Sequence, residues 1–158
     1  MKWVLALVAA AACAHAQAGE RRVIEGDLGE FTYRRFQKVE DIEIEMDGNP
    51  GVGFTAVYQH RDTVGRPQVP RSAVAVAFVT EYQRAEGLAR LLPDKLERLK
   101  GYRVKKDKQV YLLWGEAGDS WAFWPSKQFI VKVGGPETRD PPKALVKAYL
   151  EAYPSDWR

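Results

Sequence analysis

Between Tyr102 and Val133 the chain passes through four short segments rich in aromatic and β-branched residues: Tyr102–Lys106, Val110–Trp114, Ser120–Trp124 and Phe129–Val133. They are joined by little more than Asp107-Lys108, Gly115-Glu116-Ala117-Gly118-Asp119 and Pro125-Ser126. Parallel neighbours need a crossover of about a dozen residues or more, so connections this short make consecutive strands antiparallel. The rest of the chain must complete that hairpin succession.

Upstream, from Arg22 to Tyr82, strand-like runs are again broken by turn residues. Val23-Ile24 precedes a Gly26-Asp27 turn, and Phe31-Thr32-Tyr33 follows. Asp41, Glu43, Glu45 and Asp47 alternate with Ile42, Ile44 and Met46, which predicts a half-buried antiparallel strand over 41–47. Asp47 to Gly51 is a turn cluster, Val52 to Tyr58 the returning strand, and His60 to Arg71, with Gly65, Pro67 and Pro70, an exposed loop. The unbroken apolar run Ala73 to Val79 suits a central strand buried on both faces.

Two helices are predicted. Ala85, Leu88, Leu92, Leu96 and Leu99 recur at helical spacing, giving a helix over about 83–100 that Gly101 ends and Pro93 kinks or splits. Ala144, Leu145, Ala148, Tyr149 and Ala152 mark a second over about 142–153, stopped by Pro154. No internal repeat or linker divides the chain. The expected fold is a single α+β domain: a mainly antiparallel sheet covered on one face by both helices.

Residues 1–18 read as a secretory signal peptide preceding a domain over 19–158. Lys2 precedes an apolar run from Trp3 to Ala14, too short to span a bilayer, and small residues at alternate positions offer cleavage after Ala16 or Ala18. The expected location is therefore exported, periplasmic or secreted from a bacterial cell, with lipid anchoring through Cys13 as the minor alternative. Cys13 is the sole cysteine. Once the leader is removed, disulfides, thiolate catalysis and cysteine-ligated metal are excluded. No later segment has the roughly 20 apolar residues of a membrane helix. The formal net charge is +3, to which Lys2 contributes, and acids and bases are mixed, so nucleic acid is not an expected partner.

Catalytic chemistry has little to work with. His60 is the single histidine outside the leader, and Ser72, Ser120, Ser126 and Ser155 lie in no nucleophile-elbow or S-x-x-K context. Glu43, Glu45, Asp47 and Asn49 fall at every second position, but on a strand they would be strung out along one face instead of wrapping an ion. Gly51-Val52-Gly53 lacks the following helix of a phosphate cradle. No cofactor or metal is expected.

Two features remain that could contact something. One is the aromatic hairpin, where Trp121 and Phe123 must face one side of a pleated strand and Trp124 the other. The second is the basic run through Lys95, Arg98, Lys100, Arg103, Lys105, Lys106 and Lys108. Trp114, Trp121, Trp124, Arg103 and Lys105 are the candidate binding residues. They point to a non-catalytic exported binding or accessory domain, with an envelope protein or an anionic or apolar envelope ligand as partner. The alternative is a carrier or sensor of a small apolar ligand between sheet and helices, in a cavity lined by Phe78, Leu92, Leu112 and Leu145. A hydrolase built from carboxylates and His60 ranks third. Oligomeric state, and whether Tyr153 to Trp157 docks on the domain, stay open.

Overall fold

The computed structural model describes residues 17–39 and 42–158. The leader up to Ala16, Cys13 within it, and Asp41 lie outside the described residues.

Seven strands form one open antiparallel sheet: β1 (Phe31–Val39), β2 (Gly51–His60), β3 (Val74–Tyr82), β4 (Tyr102–Asp107), β5 (Val110–Gly115), β6 (Ser120–Ser126) and β7 (Phe129–Gly135). Their spatial order is β1-β2-β3-β7-β6-β5-β4. The four-strand succession read from the sequence is β4 to β7, and each consecutive pair is antiparallel. Lys108 and Lys127 take positive φ in the two tightest hairpins, the conformation that lets a short loop follow the sheet's twist. Two helices complete the domain, α1 (Leu88–Glu97) and α2 (Lys143–Ala152). The α+β class, the antiparallel sheet and the two helices are as expected.

The placement of the helices differs from expectation: they lie on opposite faces. Leu145, Ala148 and Tyr149 of α2 share a core with Ala75, Ala77, Val79, Ala122, Trp124, Val131 and Val133. Leu88, Leu92 and Leu96 of α1 share another with Trp121, Phe123, Leu113 and Ile130, against which Val76 and Phe78 pack. The reason is the doubly apolar character of β3 and β6. Successive residues of a strand point to opposite faces, so a strand apolar at both parities needs cover on both.

Residues 42–46 also differ, because no ladder forms there. Ile44 and Met46 are buried and Glu43 and Glu45 exposed, so the alternation is real, but it records alternate burial of a strap lying across the α1 face. The Tyr82 hydroxyl, donating to the Ile44 carbonyl at 2.5 Å, ties it down. Val23-Ile24 likewise forms no strand: the Ile24 backbone is satisfied by Tyr149 and Tyr58 hydroxyls at 3.1 and 2.6 Å.

The first helix is shorter than the predicted 83–100. It starts after Gly87, whose φ of 83° breaks the chain direction, and Pro93 lies inside it without splitting it. After α2 the chain crosses from one face to the other. Asp156 N–H donates to the Pro125 carbonyl at 2.9 Å, and Trp157 packs on Tyr111 with ring centroids 4.9 Å apart. The C-terminal segment is thus docked.

Candidate functional site, a groove between the second helix and the sheet edge

The α2 helix rests on β7, three strands in from the β4 edge. Neighbouring strands are about 4.8 Å apart and a helix with its side chains is about 10 Å across, so α2 leaves the outer strands of this face uncovered. The result is a groove of about 690 Å³ with β5 as floor and α2 as wall. Val110, Leu112, Pro141, Val146 and Leu150 supply its apolar surface, and Lys143, Lys147, Asp107, Asp140 and Glu151 its rim. Its volume falls within the roughly 300–1,000 Å³ of small-molecule sites.

Both ends of the wall are pinned. The Trp114 indole N–H donates to the Arg139 carbonyl at 3.0 Å, fixing the start of α2 beside the end of β5. Ser155 Oγ donates to the Gln109 carbonyl at 2.7 Å, fixing the chain beyond α2 beside the β4–β5 turn. Thr138, bonded to Ser120 Oγ at 2.7 Å and to the Gly135 carbonyl at 2.9 Å, holds the connection from β7 to α2.

Three of the five candidate residues named from sequence, Trp114, Arg103 and Lys105, stand on the sheet face that floors the groove, beside its lining. Arg103 pairs across the ladder with Trp114, and Lys105 with Leu112, so all four side chains stand on the groove face. The Arg103 guanidinium lies 4.5 Å from the Trp114 ring centroid, a cation–π contact that holds the charge at the groove end.

The other two are placed elsewhere. Trp124 is 0% exposed beneath α2, its indole N–H donating to the Tyr153 carbonyl at 2.8 Å, so it belongs to the core. Trp121 is buried on the α1 face, donating to Asp119 Oδ2 at 2.5 Å. Tyr102 donates to the same oxygen at 2.6 Å. Burial pushes the Asp119 carboxyl up, but these two bonds together hold it below its ordinary value. Burial and the Asp119 carboxylate push the Tyr102 phenol up to about 12.

Sequence reasoning missed Val146 and Leu150. They form a second apolar stripe on α2 beside the core stripe, and that excess over one buried face is the signal that identifies them. The core residues suggested for an apolar cavity do not line one together: Phe78 and Leu92 lie on the α1 face, Leu112 and Leu145 on the α2 face.

The α1 face carries a buried cation. Lys132 Nζ contacts Glu43 Oε2 at 2.5 Å and sits 4.0 Å from the Trp121 centroid, 5.1 Å from Phe78 and 5.4 Å from Phe123. Desolvation lowers its pKa, and Glu43 offsets this only in part. The adjoining cavity is about 80 Å³, the space of about two or three waters. Thr55 Oγ1, buried and without a hydrogen-bond partner among the described residues, faces the same region.

His60 lies on β2, four strands from the groove floor, with Nδ1 3.7 Å from Asp62 Oδ2. Among the described residues no three His, Cys, Asp or Glu side chains gather as a metal site, and no helix is long and apolar enough to cross a membrane. No family model matches the chain, and neither a curated protein nor a solved structure does.

Proposed function

We propose that this chain is a non-catalytic binding module, exported by its first eighteen residues, whose contact face is the groove between α2 and β5. The observation that carries the reading is the side-by-side partial exposure of Leu112, Val146 and Leu150, framed by Arg103, Lys105, Lys143 and Lys147. Apolar surface with a polar rim is what binding surfaces offer and what folding alone would bury. The apolar-ligand alternative converges on the same place, because the cavity inside the α1 face is too small for a carried molecule.

A neutral solvatochromic dye such as Nile red tests the groove. Binding is expected for the mature protein and is lost in folded Leu112→Glu and Val146→Glu variants. Undiminished dye fluorescence in both variants would move the contact face elsewhere. Export is tested by N-terminal sequencing of protein recovered from the envelope: a start at Gln17 or Gly19 supports it, and an intact Met1 sinks it.

A further inference from the structure

Resting on that reading, we propose that the groove takes a free single-chain carboxylate amphiphile of the fatty-acid class, with its head group at the start of α2. Charge is distributed unevenly along the groove. The anchors at Trp114 and Ser155 set α2 alongside β5 in a known direction, from the Arg103 end to the Asp107 end. At the first end stand Arg103 and Lys143, with Arg139 in the chain just before α2, and of the carboxylates lining the groove only Asp140 is at this end. Lys105 and Lys147 follow midway, beside the apolar side chains of Leu112 and Val146. Asp107 and Glu151 occupy the far end.

None of Arg103, Lys105, Arg139, Lys143 or Lys147 pairs with a carboxylate among the described residues. Arg103 is oriented by its stacking on Trp114 and keeps its donors free for an oxyanion. The start of α2 has no side-chain cap, so its partial positive charge adds to the same end. A ligand that puts an anion there and apolar chain along Leu112, Val146 and Leu150 satisfies the cations and keeps its own charge at the end of the groove opposite Asp107 and Glu151. The ten residues of α2 span roughly 15 Å, which sets the length of chain the wall can cover.

The experiment is calorimetric titration of the mature protein with monomeric dodecanoate and with dodecyltrimethylammonium, which share a chain and differ in the sign of the head. Dodecanoate is expected to bind at least about tenfold more tightly. An Arg103→Glu/Lys143→Glu variant is expected to abolish that preference, and Leu112→Glu or Val146→Glu to remove binding of both. Equal affinities, both lost in the apolar variants, overturn the anionic assignment and leave the groove intact as a binding face. Absence of dodecanoate binding while Nile red still binds has the same meaning. Failure of all three probes in folded protein removes both readings. Binding to phosphatidylglycerol vesicles that dodecanoate does not compete away would assign the cations to a membrane surface and overturn the proposal.

Discussion

Trp157 supplies the hydrogen bond that Pro93 cannot. Within α1 the Ala89 carbonyl should accept from the N–H four residues on, but that residue is Pro93, and the indole N–H of Trp157 donates to it instead at 3.0 Å. A residue on the C-terminal segment thereby completes a helix on the opposite face from α2. Trp157→Phe keeps an aromatic ring near Tyr111 and deletes the donor, and is expected to cost about 1–3 kcal/mol. Pro93→Ala restores a helical donor, so the loss should shrink in that background. A double-mutant cycle by urea denaturation reads the coupling, and simple additivity would contradict it.

Gly134 is expected to be intolerant of any side chain. A Cβ there would collide with the Ser120 carbonyl and come within 2.6 Å of Trp121 Cε3, both parts of the adjoining strand. Neither neighbour can move without breaking the β6–β7 ladder or the Trp121–Asp119 bond. Gly134→Ala should therefore destabilise by about 3 kcal/mol or more, beyond ordinary overpacking. A thermal melt within a degree of wild type would refute the close packing.

Lys132 and Glu43 should respond asymmetrically to substitution. Lys132→Met removes a buried charge and offers a thioether to the rings of Phe78, Trp121 and Phe123, so stability is expected to hold or rise. Glu43→Ala leaves the ammonium buried without its carboxylate and is expected to cost about 1–3 kcal/mol, moderated because Glu43 is half exposed. Equal losses in both variants, by chemical denaturation, would mean that the ion pair itself stabilises the fold.

Alkaline pH should unfold the protein through its tyrosines. Burial raises the phenols of Tyr58, Tyr82, Tyr149 and Tyr153 above their ordinary 10.0, the last two to about 12. Above pH 10 the unfolded chain ionises while the folded state holds its protons, so stability is full below that pH and falls as pH rises. The slope is about 1.4 kcal/mol per pH unit for each such group. Tyrosinate absorbance and loss of far-ultraviolet ellipticity should rise together. Ionisation of these buried groups with the fold intact would count against the argument.

Legibility in the sequence followed the range of the interactions involved. The strands from β3 to β7 and both helices were readable because short turns and apolar periodicity act between near neighbours. The strap at 42–46 was misread because period two reports which side chains are buried, whether the backbone bonds to a strand or crosses a sheet face. Among the site residues, Arg103, Lys105 and Trp114 share a face by strand parity alone. Trp121 and Trp124 were correctly set on opposite sides, but their burial depended on which helix covers each side.

What the sequence by itself determined is the two helices, the hairpin-linked strands β4 to β7 with their antiparallel pairing, and the parity of the strands, all consequences of local geometry. Only the tertiary structure decided that the helices divide between the faces, that α2 stops short of the sheet edge, and that Trp157 closes the gap left by Pro93. Those outcomes join residues tens of positions apart. They depend on how much apolar area each face has to bury once the sheet exists, a quantity that no single segment carries.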